Sequence, residues 1–403
     1  MTYKFIKNVS ECDHDNFVES SDYCNLLQSS KWSKIKNNWE HLIVGVESNN
    51  TLVASTLILI KPLPLGMKML YIPKGPVLDY NNLELLSFIL DNIKKLGKEL
   101  NAIYIKMDPP VHRSDYPMLE EHKEYDEIPT IMNTFKACNA KHMGYYLDLD
   151  HDIQPRFQAN VYYHDNWELD FSKKMTKDLK IAEKKNLELE IGSLELLDEF
   201  ARLMNLTQER KQIHLRDKDY FKKLLEVYGD DAQLFMIKLN TKKLLDENKV
   251  KLIAAKKELE GIQPNAKKKL FTLEELIVSL DRQVTNLENE VKTKGDVSYV
   301  AGSLCIKYGY TSEILYAGMD DTYKRYMGPT LAFISPMRYN FSKGCKSCNM
   351  GGLHGDFEDG LSKFKNGYHP TINEYIGEFD IVINSFMYKV FNLALKLRKI
   401  IRR

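Results

Sequence analysis

The chain has 403 residues, with 57 Lys and Arg against 56 Asp and Glu and a formal net charge of +1. That length can fill two packed cores. The near-zero charge excludes a global field that attracts polyanions, so any phosphate or nucleic acid has to be met by local patches. The start, Met1 to Phe5, lacks the apolar core of a signal peptide, the apolar runs are too short and mixed for a bilayer span, and the six cysteines read as reduced thiols.

In chain order, His41 to Val46 and Leu52 to Ile60 are expected strands around the turn Ser48-Asn49-Asn50, followed by a strand from Lys68 to Ile72. Leu85, Phe88, Ile89 and Ile93 mark one face of a helix over 82–100. Ala102 to Met107 is a short strand ending in Asp108-Pro109-Pro110, and the polar stretch from His112 to Glu127 reads as a loop. A second β/α succession then begins. It has a strand from Phe157 to Tyr163, helices over 172–186 and 194–210, strands from Gln233 to Leu239, Val297 to Ile306 and Glu313 to Ala317, and a helix over 329–343.

Between two of those strands the pattern changes. Leu245, Leu252 and Leu259 recur at seven, and Leu273, Ile277, Leu280, Val284, Leu287 and Val291 recur at alternating four and three. These are heptad seams, broken by the turn Gly261 to Asn265, which predicts an antiparallel coiled-coil arm with Asn248 in its seam. At the end of the chain, Phe386, Val390, Leu393, Leu397 and Ile400 make an apolar stripe, with Lys389, Lys396, Arg398, Lys399, Arg402 and Arg403 around it. A basic amphipathic helix of this kind reads as a membrane-surface element, or as a helix docked by its apolar face.

No nucleophile elbow, Walker loop, HExxH or GxGxxG occurs. Cys345-x-x-Cys348 has no second ligand pair nearby, so no metal site is expected. Chemistry without those groups relies on an activated substrate, positioning and electrostatics. Four segments stand out: Gln28-Ser29-Ser30-Lys31-Trp32-Ser33-Lys34-Ile35-Lys36-Asn37-Asn38-Trp39; Tyr71-Ile72-Pro73-Lys74-Gly75-Pro76-Val77-Leu78-Asp79-Tyr80; Ile153-Gln154-Pro155-Arg156-Phe157; and Leu315-Tyr316-Ala317-Gly318 with Phe364-Lys365-Asn366-Gly367-Tyr368 and Ile376-Gly377-Glu378-Phe379-Asp380.

Together, and in this order, these segments resemble the Fem family of peptidoglycan aminoacyltransferases (FemA, FemB and FemX), and most of all its MurM-like branch. The resemblance runs from about Asn25 to about Tyr388. It implies an α/β fold of two GCN5-type N-acetyltransferase-like domains with an inserted antiparallel coiled-coil helical arm. The first domain is expected over 1–151, completed by 375–403. The second covers 152–239 and 297–374, and the arm 240–296. The implied reaction transfers an amino acid from aminoacyl-tRNA, as co-substrate and with no cofactor, to the stem-peptide lysine or growing branch of lipid II. The enzyme is expected at the cytoplasmic face of the membrane.

By position in the family's motifs, Lys36 and Arg216 are similar to residues that hold the precursor's diphosphate. Asn38, Tyr220 and Tyr316 match others lining that groove, and Lys365 matches a lysine that stabilises the transition state. Asp108 and Glu378 are acid-base candidates; an Asx turn before proline is the competing reading of Asp108. Lysines at 173, 174, 177, 180, 184 and 185 form a basic helix suited to tRNA phosphates, or simply a solvated face. Three alternatives stay open: a soluble UDP-MurNAc-pentapeptide as acceptor, a non-catalytic immunity or scaffold protein, and a small-molecule N-acetyltransferase. The last calls for a coenzyme A pyrophosphate loop that the sequence lacks.

Overall fold

The computed structural model describes residues 2–185, 187–263 and 266–401, and side chains as far as 394. Two eight-stranded sheets dominate it. The first runs Tyr3–Ile6, Glu40–Ser48, Thr51–Pro62, Lys68–Pro73, Ala102–Asp108, Phe379–Val382, Ala140–His142, with Val77–Leu78 paired to Thr51–Pro62. A strand from near the end of the chain is thus built into a sheet made mostly from its start. The second runs Leu187–Gly192, Ala232–Asn240, Val297–Tyr308, Thr311–Met319, Ser347–Leu353, Phe157–Tyr162, Thr371–Tyr375, His112–Pro117.

The last of these strands departs from the sequence expectation. His112–Pro117 lies in the stretch expected to be a loop, yet it pairs antiparallel with Thr371–Tyr375. Its polar side chains find partners across the ladder: Asp115 accepts from Asn373 at 2.6 Å and the Arg113 guanidinium donates to Glu374 at 2.9 Å. Cross-strand polar pairs replace the apolar alternation that sequence reasoning looks for.

The layers follow from which face of each sheet is apolar. Helices Leu83–Glu99 and Ile128–Ala137 cover the outer face of the first sheet, around Leu86, Ile89 and Phe135. Helices Lys173–Lys184 and Gly328–Ser342 cover the outer face of the second. Between the sheets lies a core to which both contribute. Leu57, Leu59 and Tyr71 of the first sheet join Leu234, Met236 and Leu304 of the second, with Trp32, Phe200 and Phe221 from helices packed there. Burying one such side chain contributes roughly 1.5–3 kcal/mol, so this shared core fixes the relation of the two sheets.

Asn240 and Val297 are paired neighbours at the ends of adjacent antiparallel strands. From this point helices Thr241–Glu260 and Lys267–Lys294 leave as a hairpin. Leu245, Leu252, Leu273, Leu280, Val284 and Leu287 are buried in its seam, and Ile277 and Val291 pack beside them. Ion pairs Lys249–Glu288, Lys256–Asp281 and Lys269–Glu258 run in opposite orders along the two helices, the signature of an antiparallel pair. Asn248 sits in the seam, 3.5 Å from Gln283 Oε1, where a polar group fixes register at a cost in stability.

The final helix, Ser385–Ile401, docks on the shared core through Met387, Tyr388 and Phe391, and Tyr388 donates to Asp380 at 2.6 Å. This is a different face from the expected stripe. Phe386, Val390 and Leu393 of that stripe remain exposed, at 73%, 43% and 59%. The side chains of Lys396, Leu397, Arg398, Lys399 and Ile400, and residues Arg402 and Arg403, lie outside the described residues.

Candidate active site at the junction of the sheets

Lys36 closes helix Ser30–Ile35 as its C-cap. The facing wall is helix Lys218–Tyr228, opened by Asp217, whose carboxylate accepts from the Tyr220 N–H at 2.9 Å. Sequence reading assigned no element here, although Phe221, Leu224, Leu225 and Tyr228 carry helical spacing. Lys223 ties the walls together by donating to the Ile35 carbonyl at 3.0 Å. The Arg216 guanidinium lies 5.0 Å from the Tyr220 ring centroid, and Tyr220 and Tyr316 meet edge-on at 6.2 Å.

Burial pushes the Lys36 ammonium below its ordinary range, and the charges of Arg216 and Lys223 push it further. Among the described residues neither Lys36 nor Arg216 closes an ion pair. Four of the five expected groove residues therefore converge, through a helix end, a helix start and a strand. Asn38 lies exposed in the turn after Lys36 and makes no hydrogen bond among the described residues.

Deeper in the junction is a second cluster. Lys74 follows strand Lys68–Pro73 in a left-handed conformation with φ 45, rare for a side chain of this size. It is 2% exposed. Its ammonium lies 3.5 Å from Asp108 Oδ2 and 3.5 Å from the Tyr375 ring centroid. Tyr71 donates to Asp108 Oδ1 at 2.9 Å and is itself held by Gln154 at 3.3 Å. Among the described residues Asp108 Oδ2 accepts no hydrogen bond. Burial raises this carboxyl to about 7, against the pull of Lys74.

Lys365 sits near the end of helix Gly360–Asn366, which Asp359 caps through the N–H groups of Leu361 and Ser362. It donates to the Gly352 carbonyl at 2.9 Å. Burial lowers its ammonium to about 7, opposed by Asp359 and Glu313. Glu313 is raised to about 7 by burial, opposed by Lys74 and Lys365. A β-bulge brings Glu313 toward the groove. The register steps from Leu304↔Tyr316 to Cys305↔Ile314, leaving Leu315 without a partner. Residues three apart normally face opposite sides of a strand; the extra residue puts Glu313 and Tyr316 on the same side.

Glu378 differs from the other acid-base candidate. Its Oε2 accepts from Lys106 at 2.8 Å and its Oε1 from the Ile153 N–H, while Lys106 also holds Asp380 at 2.9 Å. Both oxygens are occupied in tying chain segments together. Lys74 and Glu313 were not singled out as site residues from the sequence. Lys74 lies inside the Pro-Lys-Gly-Pro turn, which was the available signal; nothing local marks Glu313.

A family model, FemAB family, matches residues 9–396. The chain belongs to the FemAB family. Among relatives of this FemAB chain, a lipid II:glycine glycyltransferase of Staphylococcus epidermidis is 28% identical over 400 residues, covering 94% of this chain and 93% of that protein. A lipid II:glycine glycyltransferase of Staphylococcus aureus is 27% identical over 411 residues, covering 95% and 94%. A crystal structure of FemX matches with a TM-score of 0.76 at 26% identity, over 97% of this chain and 99% of that one. The expected α/β class therefore holds: two sheets with an inserted helical hairpin, in the fold of FemX.

Proposed function

We propose that this chain is an aminoacyltransferase that moves an amino acid from aminoacyl-tRNA to an amine on the stem peptide of lipid II. The observation that carries this reading is the meeting of Lys36, Arg216 and Lys223, with no carboxylate paired to Lys36 or Arg216 among the described residues. Holding like charges together costs free energy that a bound anion relieves. A diphosphate fits that need, and the named substrates of the glycyltransferase relatives support it. Tyr220, Tyr316 and Asn38 then line the path of the precursor.

The ester of aminoacyl-tRNA is already activated, so no enzyme nucleophile is required. The acceptor amine attacks the ester carbonyl, and the new C–N bond forms as charge builds on the carbonyl oxygen. Lys365 in its charged form stabilises that oxygen, an effect of ~3 kcal/mol for one well-placed donor. Asp108 accepts the proton the amine sheds. The C–O bond to the tRNA then breaks and its 3′ oxygen takes up a proton. The lysines of helix Lys173–Lys184 supply a surface for tRNA phosphates.

Among the described residues no helix is long and apolar enough to cross a membrane. The exposed Phe386, Val390 and Leu393 instead support peripheral attachment at the cytoplasmic face, where lipid II is within reach. The test is to incubate the purified protein with vesicle-borne lipid II and a mixture of charged tRNAs, then weigh the product. The expected result is a gain of one aminoacyl residue that vanishes with uncharged tRNA. No gain with any charged tRNA contradicts the reading. Transfer only to a soluble nucleotide-linked precursor reassigns the acceptor.

A further inference from the structure

Glu313 lines a half-open cavity of about 180 Å³. It falls between the loop at residues 22–26 of the first half and the face of the second sheet. That volume has room for one small group such as an ammonium on a short stem. Its walls carry the rings of Tyr23, Tyr162, Tyr310 and Tyr375, the carboxylate of Glu313, and at the rim that of Asp22. Among the described residues no lysine or arginine lines it, while His112 does. Glu313 accepts no hydrogen bond and closes no ion pair within 4 Å among the described residues; Lys74 and Lys365 act on it from farther away. Glu313 is only half-buried, so its carboxylate stays within reach of a cation or donor that enters the cavity. Lys74 already lies 3.5 Å over the Tyr375 ring and Lys346 5.1 Å over that of Tyr310, so the rings of Tyr23 and Tyr162 beside the carboxylate are the ones that offer an entering cation π faces with a counter-charge.

We propose that this cavity is a subsite for a primary ammonium group of a substrate, with Glu313 as its counter-charge. The inference rests on the aminoacyl-transfer reading, which brings two amines to the site: the α-amine of the donor residue and the side-chain amine of the acceptor. The cavity presents a carboxylate where the Lys36–Arg216 groove presents cations. Strand Thr311–Met319 lays the two in sequence, with Glu313 at the cavity and Tyr316 at the groove. The precursor's diphosphate is therefore held at one end of the strand and an amine at the other, with Lys365 acting on Glu313.

The test compares amine-bearing and amine-free partners in wild type, Glu313→Gln and Glu313→Asp. In the donor arm, tRNA carrying the natural aminoacyl group competes with tRNA carrying its α-hydroxy counterpart, read as kcat/KM. In the acceptor arm, precursor with stem lysine is compared with precursor carrying norleucine, read as binding to the free enzyme. In one arm the wild type should prefer the amine by about tenfold or more, as a site built to hydrogen-bond a substrate amine does. Glu313→Gln should abolish that preference and Glu313→Asp should restore most of it. The arm that responds names which amine is held.

Because the readout is a ratio, a general loss of rate does not imitate it. If Glu313→Gln cannot turn over, binding of a non-reactive 3′-amide analogue of the charged tRNA end, with and without its amine, gives the same ratio at equilibrium. If it does not fold, Tyr162→Lys at the exposed rim should weaken the same preference by placing a competing ammonium there. An amine preference unchanged by these substitutions in both arms overturns the subsite while leaving aminoacyl transfer standing. Absence of transfer by the wild type from any charged tRNA removes the reading on which it rests.

Discussion

Lys36 and Arg216 stand in a groove where, among the described residues, the charges acting on Lys36 are those of Arg216 and Lys223. Lys74, Asp108 and Lys365 are sunk in the junction with Glu313 half-buried beside them, both signs interleaved. In the groove, repulsion between like charges is relieved when an anion arrives, so its residues act through binding. In the junction, burial brings one ammonium and two carboxyls to about 7, where a proton moves at little cost. Substitutions in the two regions should therefore separate in kinetics: groove variants in KM, junction variants in the rate at saturation.

The largest effect is expected at Asp108. Asp108→Asn should lower the rate at saturation by about 10²- to 10⁴-fold, the usual range for a positioned general base. Its pH profile carries a sign. Asp108 works deprotonated, so activity rises through about 7; Lys365 works protonated, so activity falls through about 7. Wild type should give a narrow bell near neutrality whose apparent values belong to the coupled groups together. The Asn variant should lose the rising limb and keep the falling one. A rising limb that survives would move the base elsewhere.

Next come Lys36→Ala and Arg216→Ala. Each should raise KM for the precursor by about 10- to 100-fold, the scale of a charge-assisted hydrogen bond, with KM for tRNA little changed. An equal rise for both substrates would blur the distinction between groove and junction.

A smaller effect is expected at the tail. Phe386→Ser, Val390→Ser and Leu393→Ser together leave the docked face of Met387, Tyr388 and Phe391 intact. Binding to anionic vesicles should fall by roughly tenfold or more, since each apolar side chain immersed is worth up to ~1.5–3 kcal/mol. Tm should hold, because exposed positions contribute within about 0.5 kcal/mol. Unchanged vesicle binding would leave the helix a structural element only.

The smallest effect on folding should come from removing the arm. Deleting 241–296 and joining Asn240 to Val297 by a two-residue turn reconnects strands that are already paired. Both sheets should fold, with Tm within a few °C of the whole chain. Global unfolding would contradict the independence of the hairpin.

How much of this was legible in the sequence follows the range of each signal. The hairpin was legible because a heptad seam is a local, repeated pattern, and Leu245, Leu252, Leu280 and Leu287 are buried where it places them. Lys36, Arg216, Tyr220 and Tyr316 were legible only through family resemblance, since their meeting depends on the shared core. Strand His112–Pro117 was hidden because its residues are polar and its partner lies some 260 positions away. Lys74 and Glu313 were hidden for a related reason: a lysine in a turn and a glutamate in a strand read as solvated until tertiary packing buries the one and half-buries the other. The tail was half legible. The apolar stripe is real, but a second apolar face does the docking.

The central claim, that the groove binds and the junction reacts, is tested most directly by one measurement. It is the single-turnover transfer rate of Lys365→Met beside wild type, with lipid II and charged tRNA both saturating. The account predicts a fall of about 100-fold or more, corresponding to ~3 kcal/mol for one lost oxyanion donor, with KM for the precursor unchanged. A variant that turns over near the wild-type rate, or whose loss resides entirely in KM, would contradict it.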